Sequence, residues 1–112
     1  MKVVRLNRLL RLERPVTSPD GAGGFSIVWQ DIGSIWAEIV PGTGRDAGGE
    51  EITLSSIPYR ITVRGAPDGS ARRPAAGERL RESGRVFRVL AVTEQDPTGH
   101  YLTCFVREEE PT

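Results

Sequence analysis

A chain of 112 residues, 38% of them hydrophobic, has the size of one modest domain, and we predict a single domain over residues 1–112. Its 15 basic and 15 acidic residues give no net charge, which argues against a protein whose main task is to bind phosphates. One cysteine and one histidine exclude an internal disulfide and leave too few ligands for a zinc site, so we expect neither a metal ion nor a cofactor.

The N-terminal segment lacks the features of a targeting sequence. Residues 1–15 carry basic side chains throughout and contain no uninterrupted apolar core, so they do not form a signal peptide. No segment is apolar for long enough to cross a bilayer. We therefore expect a soluble intracellular protein without a membrane partner.

The first predicted strand follows an irregular or helical lead-in at residues 1–8. Residues 9–14 include an alternation of leucine with charged residues and stop at Pro15, which is typical of a strand. Residues 16–24 contain a Pro-Asp-Gly sequence and several glycines, and predict a turn.

Both tryptophans lie in residues 25–40, where β-branched and aromatic residues alternate with other types. We predict two strands here, at residues 25–30 and 34–40, joined into a hairpin by the Asp-Ile-Gly-Ser sequence between them. Trp29 and Trp36 are expected to supply a large share of the apolar area of the core.

Two long loops enclose the most regular strand pattern of the chain. Residues 41–57 are rich in glycine and proline and predict a loop, within which residues 50–54 are a candidate short strand. Residues 59–64 alternate strictly and predict a half-buried antiparallel strand. Residues 65–77 again combine glycine and proline and predict the second long loop.

Three further strands complete the predicted sheet. Residues 78–81 predict a short edge strand, and residues 85–93, apolar on both faces, predict a central strand covered on both sides. A turn at residues 96–99 leads into a strand at residues 100–107, followed by an acidic tail at 108–112. The predicted fold is therefore all-β, a small antiparallel β-barrel or sandwich of five or six strands with two long loops.

No combination of residues predicts catalysis. The glycines of the first long loop lack the Lys-Ser/Thr pair of a phosphate-binding loop. His100 has no identifiable partner, and Cys104 shares a strand face with Leu102 and Val106, which predicts burial. The carboxylates of the first long loop have no fixed geometry. We therefore predict that the protein is not an enzyme.

Arginines close to aromatic residues raise the alternative of a small barrel that stacks single-stranded nucleic acid. The arginines concerned are Arg60, Arg64, Arg85 and Arg88. Such a module needs an exposed aromatic platform, whereas the sequence pattern favours core positions for Trp29, Trp36, Phe87 and Phe105. The neutral net charge also counts against it, so it stays the less favoured alternative.

A series of short segments, in order and over nearly the whole chain, resembles the head–tail joining (head-closure or stopper) proteins of long-tailed phages and phage-derived gene transfer agents. The segments are residues 12–15, Trp29, residues 35–39 with Pro41, residues 44–45, 59–64, 84–89 and 101–104. The Trp-Ala-Glu and Tyr-Arg-Ile-Thr-Val-Arg sequences carry most of the resemblance. The chain departs from the family where a Gly-Gly pair interrupts the loop after Arg45 and where Gly65 replaces a common aromatic residue.

This resemblance implies a structural subunit of a particle neck. Such proteins form a β-barrel ring below the portal and its adaptor ring, retain the packaged DNA and dock the tail through a terminator ring. The implied partners are therefore other copies of the chain, as a hexamer or alternatively a dodecamer, the adaptor, the terminator and the double-stranded DNA in the channel. The implied location is the neck of a virion or gene-transfer-agent particle, made in the bacterial cytoplasm. Another neck component, such as the tail terminator, is the alternative.

The resemblance also points to interface residues. The loop after the Trp-Ala-Glu strand reaches the channel or the ring neighbours in relatives. The charged residues of this loop are Arg45, Asp46, Glu50 and Glu51, which give it a net charge of −2. A negative loop would let DNA pass through the channel without binding. A basic N-terminus and an acidic C-terminus suit a head-to-tail ring interface, and the candidate ring contacts are Arg5, Arg8, Glu108, Glu109 and Glu110.

Overall fold

The computed structural model describes residues 3–42 and 56–109. These residues form an antiparallel β-barrel. Its strands are β1 (Arg8–Pro19), β2 (Phe25–Pro41), β3 (Ser56–Arg64), β4 (Arg79–Glu82), β5 (Arg85–Glu94) and β6 (Tyr101–Glu109). They close in the order β1-β2-β3-β6-β5-β4. The predicted all-β class and the barrel are thereby confirmed. Residues 43–55, including the candidate short strand at 50–54, lie outside the described residues.

The core follows from strict alternation along the strands. In β3 the side chains of Ile61 and Val63 are fully buried. In β6, Leu102, Cys104 and Val106 are at most 1% exposed. Side chains two residues apart lie on the same face of a strand, so each strand lines the interior with every second residue. The predicted strand at 59–64 and the predicted hairpin of β5 with β6 are both confirmed.

The predicted hairpin within residues 25–40 is wrong. β2 is one continuous strand, and its hairpin partner is β1, in a register that runs from Arg8 opposite Ala37 to Pro19 opposite Phe25. The register shifts by one residue where Leu12 faces Gly33 and the next residue of β1 faces Asp31. Ile32 is thus the extra residue of a β-bulge, and the sequence that predicted a turn is a local irregularity in a paired strand.

The first strand and its turn also differ from the prediction. β1 continues past Pro15 to Pro19, because beyond residue 13 it has a partner on one side only, a setting in which proline is tolerated. The turn is confined to residues 20–24, where the Asp20 carboxylate accepts the N–H groups of Ala22 and Gly24 at 2.8 and 3.0 Å. The lead-in at residues 3–7 is irregular.

β4 and β5 occupy different environments from those predicted. β4 is not an edge strand, because it pairs with β1 on one side and β5 on the other and so closes the barrel. β5 is not covered on both faces: its outer face meets solvent, and Leu90, the extra residue at a register shift between Val89 and Ala91, is 44% exposed.

Neither tryptophan lies in the core. Trp36 precedes the inward-facing Ala37, so it lies on the outer face and is 54% exposed. The Trp29 ring is half-buried beneath the guanidinium groups of Arg79 and Arg88, which lie 4.1 and 5.1 Å from its centroid. The largest fully buried side chain is Phe87 instead, which meets the Tyr59 ring edge-on at 5.6 Å between centroids.

Candidate functional site

The cysteine is an internal packing residue. Cys104 is fully buried in β6, as predicted, and burial is the main cause that raises the pKa of its thiol to about 12. The thiolate, not the thiol, is the nucleophilic form. A thiol that stays protonated near neutral pH, inside the barrel, is poorly suited to nucleophilic chemistry.

We expect Cys104 to resist alkylation in the folded protein. Iodoacetamide at about pH 8 should leave it unmodified, whereas the same treatment in urea should modify it fully, because unfolding removes the desolvation that suppresses the thiolate. Mass spectrometry reads out both states. The variant Ser26→Cys, at an exposed position of β2, is the reference for a reactive thiol. Modification of folded wild type at the reference rate would contradict the burial.

His100 belongs to a turn rather than to a catalytic cluster. Its side chain is 77% exposed, and its Nδ1 lies 3.1 Å from Thr98 Oγ1 and 3.6 Å from the Asp96 carboxylate. The Thr98 hydroxyl donates to Asp96, and this bond is the first cause of the lowered pKa of that carboxyl. Asp96 also accepts the Tyr101 N–H at 3.2 Å, so its bonds close the β5–β6 turn.

The described part of the chain contains no group of three or more histidine, cysteine, aspartate or glutamate residues placed to hold a metal ion. Within the same residues, no helix is long and apolar enough to span a membrane. The charged wall of the barrel and its exposed apolar surfaces are further candidates for a functional site.

Carboxylates from neighbouring strands pair with many arginines of the outer wall. Arg79 Nε lies 2.5 Å from Glu13 Oε1, and Arg85 makes two bonds to Glu108 at 2.8 and 3.1 Å. Arg88 lies 3.4 Å from Glu109. Two of the arginines considered for nucleic-acid binding therefore face carboxylates of their own chain. This pairing counts against binding of single-stranded nucleic acid. Trp36 is exposed, however, so the lack of an exposed aromatic ring no longer counts against it.

The structure distributes the predicted ring contacts over separate places. Arg8 makes a bidentate pair with Glu82 on β4, whereas Glu108 and Glu109 pair with β5. Arg5 is exposed, and its backbone N–H donates to Glu38 at 3.0 Å. A role of these residues in ring contacts stays a prediction. Five predicted residues lie outside the described part of the chain: Arg45, Asp46, Glu50, Glu51 and Glu110.

The Arg8–Glu82 pair should make stability depend on acid pH. Its hydrogen bonds are the main cause of the lowered pKa of Glu82 in the folded chain. A carboxyl whose folded pKa is depressed stabilises the fold above its unfolded pKa, about 4.3, and loses this contribution as pH falls through the folded value. Glu82→Gln should therefore flatten the loss of stability below about pH 4.3 in thermal melts. Arg8→Gln should flatten it similarly, and acid curves identical to wild type would contradict the coupling.

β1 and β2 extend beyond the barrel as a two-stranded ribbon, which we call the arm and define as residues 16–28. β4 pairs with β1 only as far as Glu13, and β3 pairs with β2 only from Ala37 onward, so the arm has no further sheet partner among the described residues. The molecule accordingly measures 55 Å along its longest axis against 33 and 24 Å across.

The arm carries apolar side chains on both faces. Phe25 is 71% exposed, Ile27 63%, Val28 54% and Val16 42%. Directly opposed residues share a face of a ribbon, so Phe25 with Pro19 and Ile27 with Thr17 form one face, whereas the two valines form the other.

A cleft of 610 Å³ lies on the barrel beside Trp36, and we call it the Trp36 cleft. It is bounded by residues 34–36 of β2 and by the loop after β3, with contributions from Leu6, Arg64, Pro67 and Arg72. The guanidinium of Arg72 donates to the Ser34 carbonyl at 2.8 Å and thereby ties the loop to β2.

Sequence analysis missed both the arm and the Trp36 cleft. The available signal for the arm is the apolar content of residues 25–28 next to a glycine-rich turn, a pattern that also fits half of a hairpin packed on the core. No local pattern could indicate the cleft, because its walls come from segments about thirty residues apart that only barrel closure brings together.

An all-β barrel with a projecting apolar ribbon has the kind of exposed apolar surface that usually marks an interaction site. The family model described as phage head completion protein matches residues 1–109. The chain therefore belongs to the phage head completion protein family, a family of structural virion proteins. The predicted resemblance is confirmed at the level of the family.

Solved structures that are similar to the chain include the following two. One is a chain of the virion of a native gene transfer agent particle, with 54% sequence identity, a TM-score of 0.78 and coverage of 96% of this chain and 98% of that one. The other is the solution structure of protein SF1141 from Shigella flexneri 2a, with 22% identity, a TM-score of 0.70 and 96% coverage of both chains, which shows the shared fold. Comparison with curated proteins gave no significant match.

Proposed function

We propose that the protein is a head-closure subunit of a phage-like particle such as a gene transfer agent. Copies of it form a ring below the portal and its adaptor, retain the packaged DNA and provide the surface on which the tail docks. The observation that carries this proposal is the match to the head completion family over residues 1–109, together with 54% identity to a chain of a gene-transfer-agent virion. The barrel with its projecting arm suits a subunit whose work is assembly.

Electron microscopy of particles from cells lacking the gene tests this function. We expect separate tails beside tailless heads, many of them empty, because the heads would lack both the closure and the docking surface. Complete tailed particles would overturn the proposal. Tailless heads that all retain their DNA would favour the alternative of a tail terminator. Restoring the gene on a plasmid should restore tailed particles and serves as the control.

We further propose that the first long loop faces the DNA channel. Its charged residues, Arg45, Asp46, Glu50 and Glu51, sum to a net charge of −2, and like charge would keep the DNA backbone from adhering. The double variant Glu50→Lys/Glu51→Lys should reduce DNA delivery by assembled particles, because it turns this loop positive. Glu94→Lys, an exposed carboxylate on β5, is the control and should deliver normally. Unchanged delivery by the double variant would argue against a channel role.

A further inference from the structure

The arm presents more apolar surface than a lone subunit would be expected to leave open. Two-stranded ribbons are at best marginally stable in water, and contiguous apolar patches on soluble proteins usually mark contact sites. Phe25 and Ile27 lie on one face of the ribbon and are 71% and 63% exposed. Since the opposite face also carries valines, a partner that covers the arm must receive it as an inserted element.

Contacts at its base tie the arm to the wall of its own barrel. Arg14 Nε lies 2.6 Å from the carboxylate of Glu78, a residue only 5% exposed, and Arg14 also donates to the Ala71 carbonyl at 3.2 Å. Trp29 stacks beneath Arg79 at 4.1 Å. These contacts anchor the start of the ribbon to the barrel wall, while the apolar side chains of its outer part are exposed in the single chain.

The Trp36 cleft has the volume and the chemistry to receive apolar side chains of such an arm. Its 610 Å³ lie within the range of volumes that hold ligands, and its apolar walls include Leu6, Trp36 and Pro67. The charges are complementary as well. Among the described residues, two arginines and no acid line the cleft, whereas Asp20, at the tip, is the one charged residue of the arm.

We propose that the arm of one subunit inserts into the Trp36 cleft of the next subunit in the ring, with Phe25 and Ile27 against Trp36 and Asp20 towards Arg64 and Arg72. This inference rests on the proposed ring function and names its subunit interface. A second copy of the chain is the favoured occupant of the cleft, because the arm and the cleft that complements it lie on the same chain. A closed ring then covers every arm and fills every cleft once, as a head-to-tail interface requires.

Disulfide cross-linking in particles tests the interface. A chain with Phe25→Cys and Pro67→Cys should give, on oxidation, a ladder of multimers up to the ring size, whereas each single variant should stay monomeric. Particles that contain a mixture of the two single-variant chains should give dimers and no larger species. Cys104 remains in all variants because it is buried. Dimers from Phe25→Cys alone, a bond within one chain or no cross-link at all would overturn the proposal.

A second comparison keeps the test independent of cross-linking geometry. Phe25→Ser/Ile27→Ser should fold with a melting temperature close to wild type, because both side chains are exposed, yet reduce the number of tailed particles at least tenfold. Leu90→Ser, an exposed leucine on β5, is the matched control and should assemble normally. Full complementation by the arm variant would overturn the interface alone. The proposed function would be contradicted by a different result, namely tailed particles from cells that lack the gene.

Discussion

Gly65→Ala should strongly destabilise the barrel. A Cβ atom at this position would lie 2.0 Å from the Gly99 carbonyl oxygen and 3.2 Å from that of His100. The Gly65 N–H donates to the His100 carbonyl oxygen at 2.7 Å, directly beside the Arg64–Tyr101 pair that joins β3 to β6. The obstructing atoms are backbone, so relief requires a shift of the strand connection. We expect a cost of about 3 kcal/mol or more, a large part of a domain's total stability.

Urea unfolding followed by tryptophan fluorescence measures this cost. Gly84→Ala is the matched control, since a Cβ there meets no atom within 4 Å and the backbone is not left-handed. It should change the free energy of unfolding by no more than about 0.5 kcal/mol. Equal midpoints for the two variants would contradict the close approach of the strands. The close contact of position 65 with the β5–β6 turn is the physical reason for glycine there in this chain.

Leu10→Ala should destabilise the barrel by about 2–5 kcal/mol, as expected for truncation of a fully buried leucine. Leu10 is completely buried in the core cluster, so the change leaves a cavity as well as removing apolar contact. The adjacent Leu9 is 47% exposed and faces Trp36 on the outer side. Leu9→Ala should therefore cost less than about 1 kcal/mol.

This neighbouring pair tests the register of β1 as well as its burial. A slip of one residue exchanges the inner and outer faces of a strand. If Leu9→Ala proved more costly than Leu10→Ala in urea unfolding, β1 would lie in the opposite register to the one described. Both variants make the same Leu→Ala change in the same strand, so the difference in strand propensity between the two residue types cancels in the comparison.

The family and the all-β class could be predicted from sequence, whereas the interaction surfaces could not. Order and spacing of short segments carried the resemblance, and the family match confirms it. The arm and the Trp36 cleft depend on which strands pair and where the pairing ends. The Arg8–Glu82 pair, 74 residues apart in sequence, likewise could not be inferred from either segment alone. The channel-loop residues remain predictions from resemblance.

The sequence by itself determined the features that depend on neighbouring residues. Alternation at residues 59–64 and 101–107 specified β3 and β6, and the Asp-Pro-Thr-Gly sequence specified the turn before β6. These predictions succeeded because a strand repeats every two residues and a turn is closed by its own side chains.

Only the tertiary structure decided the pairing of β1 with β2 and the positions of the tryptophans. β1 supplies a partner along almost the whole of β2, so the Asp-Ile-Gly-Ser sequence forms a bulge rather than a turn. Ala37, not Trp36, faces the closed barrel, and the indole remains outside. The face that becomes the interior, and the length over which two strands stay paired, depend on contacts between distant segments, which no local pattern contains.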